Sequence, residues 1–420
     1  MRFSRLLRSS QALFPFLIIV FLGAGLGLGY FFPKNIVVNA LYVSGTYFPK
    51  LIVSLAAFLI FNLLAGAMAK LVLVHRERAG SMFGLIFGIY FVMGLVSLIY
   101  VAVWVPILTD IPVTHPGVEL KGPMQWIIQI GNTLSEVLAK QPLLQALVAA
   151  MIIGYWSAAT PSLRPIANGF IVIGDKILWL FKKLMWYYPV MIGCLVIAIP
   201  MKFGSKGMAL YGETVMWVAI VTIVWSIVMI AMMKIFTQRS WKQISSYYAA
   251  VWPTGFGTGG SYDTLAVNII SAKQDLGLRP EIAEISIIFG TVLNKNCSTM
   301  SVLLVTCTVC ALLDIPISLL EILLLIPPVL ILGLESPGVP GGAGFFMSPI
   351  VGVLLGAPDL PIFVTTFVTI FSGLIPMLST AGNTTDDGAV GALLQDCFSK
   401  QIGLETVEWP RKYQEMGREV

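Results

Sequence analysis

Residues 288–301 read IFGTVLNKNCSTMS, an apolar stretch that is interrupted by a polar cluster starting at Asn294 and Lys295. Apolar runs flank the cluster on both sides, so it falls near the middle of a segment, 282–313, that is long enough to cross a bilayer. An ammonium group at that depth needs a partner or a water-filled cavity, because exposing it to lipid costs several kcal/mol. A polar break in such a helix also frees backbone carbonyls, and the sequence therefore predicts an ion or substrate site here.

The amino-acid composition is typical of a membrane protein. Hydrophobic residues make up 57% of the chain, charged residues only 11%, and the mean hydropathy is +0.88, whereas soluble domains carry about 25% charged residues. We therefore expect an all-α polytopic membrane protein. The net charge of +5 is carried by basic residues between apolar runs, which indicate orientation and not a nucleic-acid partner. The five cysteines form no metal-ligand pattern, and no cofactor is expected apart from a coupling ion.

Hydropathy and charge predict six membrane crossings in the first part of the chain. They are placed at residues 13–32, 49–74, 81–108, 124–160, 177–201 and 213–236. The fourth is expected to be broken near Gln141 and Pro142, because proline removes a backbone donor. Basic residues before the first crossing and after the second, fourth and sixth place the N- and C-termini in the cytoplasm. The predicted location is the plasma membrane, in a bacterium the inner membrane, with the lipid bilayer as a partner.

The pattern changes after residue 240. Residues 241–273 and 317–357 are each moderately apolar and have a glycine-rich centre, a pattern typical of two half-length helices that form a re-entrant hairpin. Each is followed by a crossing that polar residues interrupt, at 294–299 and at 379–387. A hairpin followed by a broken helix, occurring twice, indicates inverted repeats with a site between them. The predicted fold therefore has eight transmembrane helices and two re-entrant helical hairpins.

The order of these parts resembles the dicarboxylate/amino acid:cation symporter family, which includes the glutamate transporters, and the chain looks like a divergent member. Four short motifs carry the resemblance: 259–267 (GGSYDTLAV), 294–298 (NKNCS), 338–341 (GVPG), and Asn383 with Asp387. The resemblance implies the glutamate-transporter-homologue fold and a homotrimer that works by an elevator mechanism. It also implies that 1–240 holds the scaffold spans 1, 2, 4 and 5 together with spans 3 and 6 of a transport domain. The resemblance further implies that residues 241–398 form the transport core and that residues 399–420 form a cytoplasmic tail.

The same resemblance implies a substrate site at the two hairpin tips and in the last two broken helices. The expected substrate-binding residues are Gly260, Ser261, Ser298, Gly338, Val339, Pro340, Gly341, Ser379, Thr380 and Asn383. In relatives that carry acidic amino acids, an arginine reads the side-chain carboxylate and an aspartate holds the amino group; here those positions are Ser379 and Pro376. We therefore expect a small carboxylate-bearing solute, an organic acid or an amino acid, rather than glutamate or aspartate bound in the usual way.

The cation sites of the family are altered as well. The expected cation-binding or cation-replacing residues are Gly290, Asn294, Lys295, Asn296, Glu335, Asn383, Asp386 and Asp387. Lys295 stands where the family has a methionine near sodium, and Asn296 where it has an aspartate sodium ligand. The hypothesis is that Lys295 replaces sodium and pairs with Asp387 or Glu335, so that transport is sodium-independent or proton-linked. The alternative is sodium bound by Asn294, Asn383 and Asp387.

Other function classes stay open from the sequence. A sodium-coupled amino acid or dicarboxylate symporter and an anion channel are the alternatives, although a channel filter recurs by symmetry around one pore and this chain has two different tips. An intramembrane protease would use paired aspartates, but Asp386 and Asp387 are adjacent and point to different helix faces. The chain is not expected to be an enzyme.

Overall fold

A computed structural model describes residues 2–74, 79–109, 142–184, 187–336, 338 and 340–398. The described residues are helical, and no strand occurs among them. Part of the predicted fourth crossing, at 124–141, and the predicted tail at 399–420 lie outside the described residues.

The helices fall into an N-terminal and a C-terminal set. The N-terminal set is α1 (Arg2–Phe31), α2 (Ile36–Val74), α3 (Ala79–Thr109), α4 (Pro142–Ala159), α5 (Arg164–Leu184), α6 (Tyr188–Val196) and α7 (Ala198–Phe236). The C-terminal set is α8 (Trp241–Thr258), α9 (Ser261–Gln274), α10 (Pro280–Leu293), α11 (Asn296–Leu312), α12 (Leu319–Glu335), α13 (Gly342–Leu354), α14 (Leu360–Phe371) and α15 (Leu374–Cys397). A short 3-10 turn, Pro161–Leu163, joins α4 to α5.

Two boundaries in the N-terminal set differ from prediction. The helix predicted at 49–74 begins earlier, at Ile36, because the Asn35 side chain accepts a hydrogen bond from the backbone of Val37 at 2.8 Å and so caps the helix. The crossing predicted at 177–201 is not one helix, because it is divided among α5, α6 and α7. Pro189 and Pro200 lie in this range, and neither has the N–H that a continuous helix needs.

Three helices among the described residues are long and apolar enough to cross a membrane: Gly84–Thr109, Ala198–Phe236 and Ile282–Leu312. The bent pair α14 and α15 gives a fourth if it is counted as one span. In Ile282–Leu312, 94% of an 18-residue apolar stretch is buried inside the protein, whereas the corresponding shares in Gly84–Thr109 and Ala198–Phe236 are 44% and 33%. The segment with the polar cluster is therefore shielded from lipid, as an ionisable residue at that depth requires.

Two pairs of helices bring glycine-rich turns together. In the first pair, α8 and α9 are joined by Gly259 and Gly260, and Gly259 adopts a positive φ of 61°. In the second pair, α12 and α13 flank 336–341. The two turns touch, because the backbone N–H of Tyr262 donates to the carbonyl of Gly338 at 3.2 Å. A Cβ atom on Gly260 would lie only 3.1 Å from Cδ of Pro340, so a side chain there would push the turns apart.

Each pair is followed by a broken helix, but the second break does not lie where the polar residues predict it. The first break, between α10 and α11, falls at Asn294 and Lys295 as expected. The second separates α14 from α15 at 372–373 and bends the chain by 66°. The stretch 379–387 instead lies inside the continuous helix α15, where its polar side chains are buried and bond either to neighbouring helices or, as Thr384 and Thr385 do, to carbonyls of α15 itself. Gly373, with a φ of 88°, makes the bend.

The helices pack as two groups. In the first, α2 contacts α4, α5 and α6, and α1 contacts α6. In the second, α15 lies at the centre and is contacted by α7, α8, α9, α10 and α11. Helix α3 packs against α11 and α12. The polar cluster thus lies within the second group.

Close packing of α1 on α6 depends on glycine. A Cβ atom on Gly25 would collide with the backbone carbonyl of Gly193, whereas one on Gly27, in the same helix, would meet nothing within 4 Å. Small residues at such contacts let two helix backbones approach within the bilayer.

We therefore predict that Gly25→Val lowers the thermal unfolding temperature of the detergent-solubilised protein, because α1 and α6 must separate; overpacking typically costs about 1–3 kcal/mol. The matched variant Gly27→Val should unfold at the wild-type temperature. Equal effects of the two substitutions, measured by the intrinsic fluorescence of the heated protein, would contradict the α1–α6 contact.

Candidate substrate and cation site

The Lys295 side chain folds back onto the end of α10. Its ammonium donates hydrogen bonds to the backbone carbonyls of Thr291 at 2.7 Å, Val292 at 3.2 Å and Asn294 at 3.2 Å. These carbonyls belong to the last turn of the helix, which lacks partners of its own and carries the negative end of the helix dipole. The side chain is 5% exposed. The three N–H groups of the ammonium are thus matched by three acceptors that the helix break makes available.

The expected ion pair between Lys295 and Asp387 is not seen. The ion pairs among the described residues include Arg239 with Asp396 and Lys273 with Glu284, but none that Lys295 forms. The two charges are instead connected through Asn294, whose carbonyl accepts from the lysine and whose side-chain amide donates to Oδ1 of Asp387 at 2.8 Å. The side chain of Glu335, the other expected partner, lies outside the described residues.

Asp387 is 1% exposed and is held by uncharged donors. Besides Asn294, the amide of Asn268 donates to it at 3.5 Å, and the hydroxyl of Tyr90 lies 3.4 Å away, although its nearer acceptor is the carbonyl of Ser286 at 3.0 Å. Gly290 lies against this carboxylate: a Cβ atom there would collide with Oδ1 of Asp387 and with the Tyr90 hydroxyl. The glycine is therefore required for α10 to approach α15 at this point.

Asp386 faces a different side of α15 and is fully buried. Its Oδ2 accepts hydrogen bonds from the indole N–H of Trp225 at 2.9 Å and from the amide of Asn296 at 3.0 Å. Its Oδ1 has no hydrogen-bond partner among the described residues. The two adjacent aspartates therefore join α15 to different parts of the fold, Asp386 to α7 and α11 and Asp387 to α3, α9 and the break between α10 and α11.

A small cavity lies between the two glycine-rich turns and the broken helices. Its lining residues are Gly259, Ser261, Lys295, Ser298, Ser336, Gly338, Gly341, Gly342, Ala343, Phe371, Pro376, Thr380 and Asn383. Its volume of about 10 Å³ is close to the minimum that holds one water molecule. Helices α9, α11 and α13 all begin at this cavity, and their N-termini carry the positive ends of the helix dipoles. The cavity has the features of an anion site.

Asn383 organises one wall of the cavity. Its Oδ1 accepts from the backbone N–H of Cys297 at 2.8 Å, and its Nδ2 donates to the hydroxyl of Ser298 at 2.9 Å. One turn before it, the Thr380 hydroxyl donates to the carbonyl of Gly259 at 2.9 Å and ties α15 to the first turn. This wall is therefore fixed on both sides by hydrogen bonds.

The structure brings together most, but not all, of the residues that were predicted to bind the substrate. Ser261, Ser298, Gly338, Gly341, Thr380 and Asn383 line the cavity, and Gly260 and Pro340 contact each other beside it. Val339 lies outside the described residues. The position of Ser379 does not support its assignment, because its hydroxyl faces Ser301 on α11 at 2.8 Å and also donates to the carbonyl of Ile375.

Several residues of this network were not identified from the sequence. Tyr90, Trp225, Tyr247 and Asn268 all contact α15 through hydrogen bonds. Asn268 carried a usable signal, because it is an amide within the apolar run 265–270. The aromatic residues carried none, since tyrosine and tryptophan are common throughout membrane helices.

The family model for the sodium:dicarboxylate symporter family matches residues 14–397, which is nearly the whole chain. The chain belongs to this family. No curated protein matches it. A sodium:dicarboxylate symporter is a membrane transporter and not an enzyme, and the apolar helices agree with that location. The resemblance expected from the sequence motifs is therefore confirmed.

In this symporter the oxygens expected to bind sodium already accept hydrogen bonds from nitrogen. Asn294 Nδ2 donates to the carbonyl of Asn383 at 2.7 Å and to Asp387, and Lys295 donates to the carbonyl of Asn294. No group of three or more His, Cys, Asp or Glu residues that could hold a metal occurs in the described part of the chain. Each carbonyl and carboxylate oxygen has a further lone pair, so these hydrogen bonds alone do not exclude a cation at the same oxygens.

We predict that Gly290→Ala lowers the unfolding temperature of the purified protein, since the added methyl group forces Asp387 and Tyr90 from their places; overpacking of this kind costs about 1–3 kcal/mol. Gly88→Ala, on the α3 face where a Cβ atom meets nothing within 4 Å, is the control and should unfold at the wild-type temperature or above it, because alanine favours the helix. An unaltered melting curve for Gly290→Ala would show that this carboxylate is not held as described.

Proposed function

We propose that the protein is a secondary active transporter of small carboxylate-bearing solutes and that a fixed ammonium, Lys295, takes the place of a bound sodium ion. The observation that carries the proposal is the cavity between the two glycine-rich turns, with Lys295 in its wall and three helix N-termini around it. Helix N-termini favour anions through their free N–H groups and their dipoles. A carboxylate is the anion that agrees with the family.

The sodium-free proposal rests on how the ammonium is held. Carbonyls at a break in a transmembrane helix are the usual ligands of a transported cation. Here the carbonyls of Thr291, Val292 and Asn294 bind the ammonium instead. A sodium ion next to it would meet a like charge in a region of low dielectric constant, which is strongly unfavourable. Lys295 thus supplies permanently the positive charge that a mobile cation would supply during each transport cycle.

The proposed membrane arrangement has eight crossings. The pairs α10–α11 and α14–α15 each count as one broken crossing, and the fifth crossing runs from α6 into α7 as far as the kink at Gly204. The pairs α8–α9 and α12–α13 are re-entrant, which brings their turns together near the middle of the membrane. Both termini are cytoplasmic, in the plasma membrane.

The proposed mechanism is of the elevator type. Helix α3, the part of α7 after Gly204 and residues 241–398 form the moving transport domain, and α1, α2, α4–α6 and the start of α7 form a static scaffold that assembles as a trimer. The contacts support this division, because α15 binds five neighbouring helices of the second group and the scaffold helices pack chiefly on α2. Solute would enter when the turn of α12–α13 separates from that of α8–α9, since the cavity as it stands is too small for a carboxylate ion.

The test is counterflow of labelled succinate, with lactate as a second solute, in liposomes that contain the purified full chain. We expect saturable counterflow whose apparent affinity changes less than about twofold, or 0.4 kcal/mol, when choline replaces sodium. A parallel series with an imposed proton gradient measures whether protons drive uptake.

Three results would contradict the proposal. A substrate affinity that depends on sodium, and that Asp387→Asn makes independent of sodium, would show that sodium binds at this carboxylate. Unsaturated conductance would indicate a channel instead of a carrier. The absence of any carboxylate flux would exclude the proposed substrate class. Lys273→Gln, which removes a lysine of the surface ion pair with Glu284, is the control variant and should transport as the wild type does.

A further inference from the structure

We infer that a second cavity binds a small molecule that carries a primary ammonium group on an apolar body. The cavity has a volume of about 170 Å³ and lies where the last residues of α3 meet one face of α7, within 210–217, and one face of α11, within 304–311. It shares no lining residue with the cavity between the two glycine-rich turns. The inference therefore goes beyond the proposed function and does not depend on it.

The cavity lies at one end of the three helices. Helix α3 ends at Thr109, α11 ends at Leu312, and the α7 residues lie in the first turns after the kink at Gly204. In the proposed membrane arrangement this end is at the outer surface. An apolar cavity of about 150 Å³ holds a benzene molecule, so a ligand with one ring fits this one.

Hydrogen bonding is the first argument for an ammonium. Each lining hydroxyl and thiol donates to a carbonyl of the preceding turn in its own helix: Thr109 and Thr214 at 2.6 Å, Cys307 at 3.2 Å and Thr308 at 3.3 Å. The indole N–H of Trp217 donates to Oε1 of Glu213 at 3.3 Å. The described side chains that line the cavity therefore offer acceptors to a ligand, because their donors are already used within the protein. A ligand that supplies N–H donors is complementary to them.

Charge is the second argument. Glu213 is the only charged side chain among the described lining residues, and it is exposed. The ion pairs of the described residues do not include it. An ammonium beside this carboxylate gains a charge-assisted hydrogen bond, and the face of Trp217 attracts a cation that lies within about 6 Å of the ring centre. A carboxylate in the same place would meet a like charge. The cavity thus favours cations.

The remaining wall is apolar. Leu108 is 6% exposed and Leu304 is 2% exposed, and Leu210 is half-buried beside them. A polar group placed on these leucines would lose its hydration without compensation, so the body of the ligand is apolar. Two sources supply this chemistry. One is an amine dissolved in water, and the other is the ammonium of phosphatidylethanolamine at the outer surface of the bilayer.

The first experiment compares benzylamine, which is protonated at neutral pH, with benzyl alcohol, which has the same ring and no charge. Apparent affinities for the purified full chain in detergent are read from the concentration dependence of the unfolding temperature. We expect saturable stabilisation by benzylamine and binding of benzyl alcohol at least about tenfold more weakly, which corresponds to 1.4 kcal/mol. Equal affinities of the two compounds, or no stabilisation by benzylamine, would overturn the inference.

The second experiment distinguishes the two sources. The affinity for benzylamine is measured in nanodiscs of phosphatidylglycerol mixed with either phosphatidylethanolamine or phosphatidylcholine, whose headgroup has no N–H donor. A weaker affinity in phosphatidylethanolamine alone supports the site with the lipid ammonium as its occupant. Equal, saturable binding in both mixtures supports the site with a free amine as its ligand. Loss of saturable binding in both would overturn the inference.

Glu213→Gln tests the carboxylate. Glutamine retains an acceptor for the indole N–H of Trp217, and the position is exposed, so the ligand-free protein should unfold at the wild-type temperature. Its affinity for benzylamine should fall at least about tenfold. Glu284→Gln is the matched control, because it also removes an exposed carboxylate but belongs to the surface pair with Lys273. Equal affinities of the two variants would overturn the role of Glu213.

Ala311→Phe tests the cavity itself. Ala311 lines the cavity and is exposed, so a larger side chain is tolerated there and its ring occupies the space of the ligand. We expect this variant to fold and to lose saturable binding of benzylamine. Wild-type affinity in Ala311→Phe would show that the amine binds elsewhere and would contradict the proposed site.

Discussion

A buried ammonium bound to the end of a broken helix is the interaction on which the rest of this structure depends. Helix α10 ends inside the protein, where water cannot satisfy its last carbonyls, and α11 begins after two intervening residues. The ammonium of Lys295 needs hydrogen-bond acceptors, and the carbonyls at the end of α10 need donors. The bonds between them satisfy both groups. A buried ammonium without these carbonyls, or the carbonyls without a donor, would cost several kcal/mol in a medium of low dielectric constant.

The adjacent aspartates extend this centre into a network that holds the C-terminal helices together. Asp387 is bound by residues of α3, α9 and the α10–α11 break, whereas Asp386 is bound by Trp225 of α7 and Asn296 of α11. Because neighbours on a helix differ by about 100° in direction, two consecutive carboxylates bind groups on different sides of α15. The helices that contact α15 are therefore connected by polar bonds as well as by apolar packing.

Much of the functional interpretation could be reached from sequence, because polar residues are rare and costly in apolar segments. The cluster at Asn294 and Lys295, the two glycine-rich turns and the pair Asn383 and Asp387 could all be located this way, and the family assignment was confirmed. The hydrogen-bond partners of individual side chains were predicted less accurately. Lys295 was expected to pair with a carboxylate, but backbone carbonyls lie closer to it. Ser379 was expected at the substrate, but the rotation of α15 directs it to Ser301.

The sequence by itself determined that the chain is a membrane transporter built around a polar helix break, since hydropathy and the positions of glycine, proline and charge follow from local chemistry. Only the tertiary structure decided which groups meet across helices. It moved the second break from the polar stretch to Gly373, because the buried polar side chains of 379–387 bond to neighbouring helices or to carbonyls of α15 itself. It also placed Lys295 and Ser336 in one cavity, although they belong to different helices. Contacts of this kind depend on the rotation and depth of each helix relative to its neighbours, and neither quantity is encoded by local sequence.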